Sequence, residues 1–125
     1  MPFRNEEHKA AFETAVKKTD KNNHRLMSAL YLLTANLKLW EIMKQHTEKN
    51  GILFDNVKLG TISEKAYTLY CTAKDLYLGT KNLSVCDLAD ENLLSAKTFA
   101  LICDAMAVQR IGLTALKSSE RKQDT

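Results

Sequence analysis

The sequence predicts an all-α fold, a single-domain bundle of about five helices with one short non-helical segment near residues 52–60. Three observations support this fold class. Apolar residues recur at helical spacing through residues 26–43, the densest apolar stretch of the chain. The only proline is at position 2 and there are four glycines, so few positions interrupt a helix. The length of 125 residues is typical of one domain.

The composition is that of an ordinary globular protein, with 45% apolar and 26% charged residues. A chain of this size buries roughly two-thirds of its unfolded surface, which is enough for a core without metals or disulfides. We therefore predict a helical domain over residues 1–116 with no cofactor and no metal. Residues 117–125 contain no large apolar side chain, so we expect a frayed or disordered tail there.

The cysteines indicate a reducing environment. Cys71, Cys86 and Cys103 form no Cys-x-x-Cys pair, and each lies among apolar residues, where a free cysteine behaves as a small hydrophobe. There is no signal peptide and no long apolar run. These features predict a cytoplasmic protein without a membrane segment, with one disulfide as the alternative.

The first predicted helix extends to about Lys18. Asn5 is a suitable N-cap, and Glu6 and Glu7 then oppose the positive end of the helix dipole in the first turn. The apolar face of this helix is expected to contain His8, Ala11, Phe12, Ala15 and Val16.

Two central helices, or one bent helix, are predicted at residues 23–34 and 37–48, and their apolar stripes should form the centre of the core. Gly51 is placed to take the left-handed position after the second helix. We expect Trp40, the only tryptophan, to be largely buried. Its expected neighbours are Leu30, Leu33 and either Leu76 or Tyr77.

Residues 52–60 lack helical spacing. Asp55 and Asn56 at the middle of this segment favour a turn. A short hairpin and an extended loop that caps the core are both consistent with the pattern.

A long helix is predicted to begin after this segment. Thr61 and Glu64 have the spacing of a capping box, and Gly79 should end the helix after Leu78. Its core face is expected to contain Ala66, Leu69, Tyr70, Ala73, Leu76 and Tyr77.

A short helical turn and a last long helix complete the predicted fold. Ser84 and Asp87 repeat the hydroxyl-x-x-acid spacing and open a turn at residues 85–89. The last helix should begin near Glu91 or Ser95 and end at Gly112. Its inner face is expected to contain Leu94, Thr98, Leu101, Ile102, Ala105 and Met106, widened by Phe99 and Cys103.

The titratable residues form no recognisable catalytic or metal-binding pattern. His8, His24 and His46 lack the spacing of metal ligands, and helix caps or exposed positions are their expected roles. Lys74 and Asp75 adjoin an apolar stripe, where a buried member could have a displaced pKa, although a solvated helix edge is the commoner meaning. Catalysis would need a pocket in which His8, Lys74 and Asp75 meet.

Aromatic and basic residues alternate on the helix that Gly79 ends. This pattern is found on surfaces that bind single-stranded nucleic acid, whereas tyrosines at this spacing more often pack at the edge of a core. The net charge of +3 and the pI of 8.7 do not by themselves indicate nucleic acid, because acids and bases are interleaved. The candidate interaction surface consists of Tyr67, Tyr70, Lys74, Tyr77 and Lys81.

Several segments together resemble an uncharacterised family of small helical proteins from Firmicutes, often carried on conjugative or other mobile elements. The segments are ALYLLTA at 29–35, LW at 39–40, AKDLY at 73–77, GT at 79–80 and DL at 87–88, with EH at 7–8 and Phe12 as an N-terminal signature. Asn36, where the family has an acid, and residues 109–112, without the family's aromatic ending, depart from the pattern. The resemblance spans residues 5–112 and implies a mobile-element context, but no established activity.

Three functions remain in consideration. The first is a non-enzymatic interaction or accessory module of a mobile element, with an unknown protein partner or a second copy as its partner. It is favoured by the supply of tyrosine, methionine and tryptophan, which often anchor protein interfaces. The alternatives are a nucleic-acid-binding accessory or regulatory protein and an enzyme whose site is not visible in the sequence.

Overall fold

The computed structural model describes residues 2–117, and they are mostly helical. The α-helices with described bounds are α1 (Glu6–Lys17), α2 (His24–Leu33), α3 (Leu37–Met43), α4 (Glu64–Leu78), α5 (Val85–Ala89) and α6 (Ala96–Ile111). Residues 114–117 are helical as well. A turn of 3-10 helix at Lys44–His46 leads into a two-stranded antiparallel hairpin of β1 (Thr47–Glu48) and β2 (Gly51–Ile52). The all-α prediction is confirmed. Apart from Lys117, the predicted tail lies outside the described residues.

Helix α2 lies at the centre of the bundle. All of its residues from 26 to 33 are buried, and it packs against α4 and α6, with smaller contacts to α1 and α3. A helix that is apolar around its circumference must be covered on all sides, and these neighbours cover it. The Asn23 side chain caps it by accepting a hydrogen bond from the Leu26 N–H at 3.1 Å. The prediction that this stretch forms the core is confirmed for α2.

Helices α1 and α3 cover the remaining sides of the core. The predicted cap of α1 is confirmed, since the Asn5 side chain accepts a hydrogen bond from the His8 N–H at 2.8 Å. In α3, Asn36 is the cap, and Leu39 and Met43 are buried while Leu37 is exposed. Helix α3 therefore contributes one side only to the core.

The second central helix is shorter than predicted, because it ends at Met43 rather than near residue 48. Gly51 does not end a helix in the left-handed conformation; it pairs with Glu48 in the hairpin. Contacts with distant segments stabilise the hairpin. The Asp20 N–H donates to the Lys49 carbonyl at 2.9 Å, and the Ile52 N–H donates to the Tyr77 hydroxyl at 3.3 Å. The hairpin thus ends at Ile52, the first residue of the segment 52–60, and the rest of this segment is a loop.

Trp40, predicted to be largely buried, packs against the core at its edge. Trp40 is only partly buried, and it borders a cleft between α1 and the hairpin that also contains Ala11 and Thr14. In α3, Leu39 is the residue that is fully buried in the core. Because successive residues of a helix are rotated by about 100°, Trp40 lies to one side of this inward position. The fully buried aromatic residue at the centre is Tyr31 on α2.

The C-terminal helices begin and end at local signals. The cap of α4 is Ser63, which accepts from the Ala66 N–H at 3.1 Å, rather than the predicted Thr61. Gly79 ends α4 in the left-handed conformation, as predicted. Both bonds of the predicted capping box of α5, between Ser84 and Asp87, are present.

Of the two predicted starts of the last helix, Ser95 is the observed one. Its side chain caps α6 by accepting from the Thr98 N–H at 3.1 Å. Gly112 ends α6 with a φ of 104°, as predicted. In the loop after β2, Asn56 has a φ of 63°, so the predicted turn at Asp55 and Asn56 is present.

Candidate interaction site

The predicted surface on α4 is divided by the loop that follows β2. Tyr70 is 8% exposed and Tyr77 is partly buried, and both rings contact Phe54 of the loop, with ring centroids 5.7 Å apart in each pair. Tyr67 remains 54% exposed, and its ring stacks on that of Tyr70 with centroids 6.5 Å apart. Of the three tyrosines, Tyr67 alone presents most of its side chain to a ligand.

The Tyr77 hydroxyl has a structural role beneath the hairpin. It accepts the hydrogen bond from the Ile52 N–H, and Gly51 approaches it so closely that an added Cβ would lie 2.6 Å from the hydroxyl oxygen. Glycine is therefore favoured at position 51 by close approach rather than by a positive φ.

The basic and acidic residues at the end of α4 also take different roles. The Asp75 carboxylate accepts hydrogen bonds from the Thr80 hydroxyl at 2.6 Å, from the Asn82 N–H and side-chain amide at 2.9 Å each, and from the Leu83 N–H at 2.9 Å. Burial by itself would raise the pKa of Asp75, but these bonds outweigh it and hold the pKa below its usual value. Asp75 thus shapes the connection to α5, while Lys81 is exposed and Lys74 is partly buried.

His8 is fully buried, which agrees with its expected place on the apolar face of the first helix and contradicts its expected role as a cap or an exposed residue. Its Nδ1 accepts from the Arg4 N–H at 2.9 Å, so its Nε2 carries the proton and donates to the Tyr31 carbonyl at 2.8 Å. Burial lowers the pKa of His8 to about 4. The ring packs against those of Phe3 and Tyr31, and both of these rings also contact the ring of Phe12. A neutral histidine held in this way tethers the N-terminal segment and α1 to α2.

Tyr31 and Asp104 form a second, partly buried polar contact beside this aromatic cluster. The Tyr31 hydroxyl donates to the Pro2 carbonyl and lies 3.4 Å from a carboxylate oxygen of Asp104. Burial raises the pKa of both groups above their usual values. Asp104 also borders a cleft of about 550 Å³ that contains the cations Arg4, Lys65 and Lys97.

The groups proposed for catalysis are held by separate partners. His8 bonds to Arg4 and Tyr31, whereas Asp75 bonds to the loop at residues 80–83. Five clefts of about 350 to 720 Å³ lie within residues 2–117, and none of these five is bordered by His8, Lys74 or Asp75. The arrangement gives these three residues no common substrate site.

The cysteines differ in their surroundings, although the sequence placed all three among apolar residues. Cys71 is buried, Cys103 is partly buried, and Cys86 on α5 is exposed. All three are free thiols. Burial raises the pKa of Cys103, with Asp104 adding to the effect, so its thiol stays protonated at neutral pH.

The outer face of α6 is the largest departure from the predicted packing. Met106 was expected on the inner face, widened by Phe99 and Cys103, but Phe99 is 44% exposed, Met106 is 38% exposed and Cys103 is partly buried. The observed core face of α6 consists of Thr98, Leu101, Ile102, Ala105 and Val108. We call Phe99, Cys103 and Met106 the outer stripe. Their spacing, four residues and then three, was the sequence signal for a second apolar stripe.

Charged residues lie at opposite ends of the outer stripe. Asp90 and Glu91 border the same cleft as Phe99, near the start of α6. Arg110 is exposed and lies four residues beyond Met106, near its end. Among the described residues the only ion pair joins Lys44 to Glu41, so none of these three charges has an ionic partner there.

Within residues 2–117 no group of three or more histidine, cysteine or acidic side chains could hold a metal ion. In the same part of the chain, no helix has both the length and the apolar character needed to cross a membrane.

Comparisons with known proteins do not assign a family. No family model, curated protein or solved structure matches the chain. The resemblance to the Firmicutes family therefore stays a prediction.

Proposed function

We propose that this protein is a non-enzymatic interaction module that binds another protein chain through the outer stripe of α6. The observation that carries the proposal is the exposure of Phe99 and Met106 on a helix whose opposite face is already packed in the core. A surface helix normally has polar residues on its outer face. A contiguous apolar stripe in that position is typical of a site covered by a partner.

The chemistry of the outer stripe suits an interface. Methionine and aromatic residues are enriched in protein interfaces, and a few residues near the centre of an interface supply most of its binding energy. Asp90, Glu91 and Arg110 would form a charged rim around them. In keeping with the resemblance described above, we propose that the module acts in the cytoplasm as an accessory protein of a mobile element.

Photo-crosslinking in the native host tests this function. A benzophenone amino acid replaces Phe99 in one variant and Met106 in another. Leu37 on α3, which is 46% exposed, is replaced in the matched control. We expect a higher-mass adduct from positions 99 and 106 and none from position 37. If all three positions gave the same adducts, or no adduct, the proposal would be wrong.

Nucleic-acid binding is the second candidate, and one feature favours it. Arg4, Lys65 and Lys97 border one cleft, and Lys65 also borders the neighbouring cleft that contains the exposed Tyr67. Cations beside an exposed aromatic ring are the elements of a single-strand binding surface. Phosphate-driven binding weakens steeply with salt. An electrophoretic shift at low salt that is lost in Lys65→Glu, but kept in Lys58→Glu, would support this function.

A further inference from the structure

The outer stripe has the spacing of a helix-pairing seam. Phe99, Cys103, Met106 and Arg110 follow one another at steps of four, three and four residues, as in the contact positions of two packed helices. Over these positions the seam extends for about 16 Å, at 1.5 Å per residue. Because the other face of α6 is packed in the core against α2 and α4, this seam is available to a further helix.

The sizes of the side chains favour a symmetric pairing. The two large side chains, Phe99 and Met106, lie on either side of the small thiol of Cys103. If a second α6 approached in the opposite direction, Phe99 would lie against the partner's Met106, and the two Cys103 side chains would lie near the two-fold axis. A methionine sulfur beside an aromatic ring is a favourable contact, and the symmetry would form it twice.

The charges at the ends of the stripe favour the same direction. In the antiparallel arrangement, Arg110 approaches the partner's Asp90 and the partner's Glu91, and the equivalent contact forms at the other end. A parallel arrangement would instead place acids beside acids and Arg110 beside the partner's Arg110. In the antiparallel arrangement, each end of the seam therefore meets the end of the partner's seam that carries the opposite charge.

We propose that the partner of the outer stripe is a second copy of this chain, paired with antiparallel α6 helices about a two-fold axis near Cys103. This inference rests on the proposed function, because it names the partner of the same site. It makes the interface isologous, so that each substitution acts twice in the dimer.

Sedimentation velocity over a range of protein concentrations tests the pairing. We expect the purified wild-type chain to dimerise and Met106→Lys to raise the dissociation constant at least tenfold. Leu37→Lys is the matched control, because it places the same charge at a similarly exposed apolar position on α3, and it should leave the constant unchanged.

A charge-reversal experiment tests the direction of the pairing. Arg110→Glu should weaken the dimer, because it places like charges at both ends. Combining it with Asp90→Lys and Glu91→Lys should restore most of the lost affinity. Rescue of this kind is not expected from a surface where Arg110 has only a structural role.

Thiol crosslinking tests the position of the axis. In a Cys86→Ser background, Cys103 is the accessible thiol, since Cys71 is buried. A short bis-maleimide at about pH 8, where more of the thiol is ionised, should join two chains through Cys103. Neither the Met106→Lys variant in this background nor a Cys86→Ser, Cys103→Ser double variant should give the crosslinked dimer.

Three results would overturn the proposal: a wild-type chain that is monomeric at every concentration, a dimer unaffected by Met106→Lys, or a dimer without the Cys103 crosslink. They leave the proposed function open to its own test. A monomeric protein that still gives adducts from position 99 with a different protein in the host would keep the interaction function and reject the second copy as the partner.

Discussion

Acidification should destabilise the fold through His8. In the folded state, burial lowers the pKa of this residue from 6.5 to about 4, whereas in the unfolded chain it titrates near the ordinary value. Between these two pH values the unfolded state binds a proton that the folded state does not bind. The free energy of unfolding therefore falls as the pH decreases from 6.5 to about 4.

The expected size of this effect follows from the same pKa difference. At about 1.4 kcal/mol per pH unit, the difference between 6.5 and about 4 amounts to roughly 3 kcal/mol. This is a large part of the ~5–15 kcal/mol by which domains are usually stable. Asp104 opposes the effect, because a carboxyl with a raised pKa binds its proton more readily in the folded state and gains stability on acidification.

Urea unfolding of the wild type and of His8→Gln at pH 7.5 and pH 4.5 isolates the contribution of His8. Glutamine can donate to the Tyr31 carbonyl but does not titrate, so the variant keeps the contributions of Asp104 and of every other titrating group. We expect the wild type to lose about 2–3 kcal/mol more than the variant between the two pH values. Equal losses in the two proteins would show that His8 is not held neutral in the fold.

Two further predictions concern the packing. Gly51→Ala places a Cβ 2.6 Å from the Tyr77 hydroxyl and should cost about 1–2 kcal/mol in thermal unfolding; an undiminished cost in a Tyr77→Phe background would contradict the close approach. Trp40→Ala should cost only about 1–2 kcal/mol and leave the protein folded, whereas Leu30→Ala, at a fully buried position, should cost about 2–5 kcal/mol in urea unfolding. If Trp40→Ala lowered the free energy of unfolding more than Leu30→Ala, Trp40 would have to be a core residue.

The helix boundaries that were predicted best depend on local interactions. A side-chain cap joins residues about three positions apart, as Asn5 does with His8 and Ser84 with Asp87. A left-handed glycine such as Gly79 ends a helix by its own conformation. Because the residues that form each of these helix ends lie within one short segment, the local sequence is sufficient to predict where the helix begins or ends.

The hairpin and the candidate surface on α4 depend on contacts that no local pattern contains. The α-helix ends at Met43, and the hairpin that follows the 3-10 turn is held by the Asp20 backbone and the Tyr77 hydroxyl. Phe54 then covers Tyr70 and Tyr77, leaving Tyr67 exposed. Each of these contacts joins residues more than 15 positions apart, so spacing within one segment could not predict them.

By itself the sequence determined that the fold is helical, where most helices begin and end, and that residues 26–33 lie at the centre of the core. The tertiary structure decided which apolar faces are covered. It buried His8, left Trp40 at the edge of a cleft, and exposed Phe99 and Met106 on α6. The physical reason is that hydrophobic periodicity shows which residues share a face of a helix, whereas the number and positions of the neighbouring helices decide whether that face meets protein or solvent.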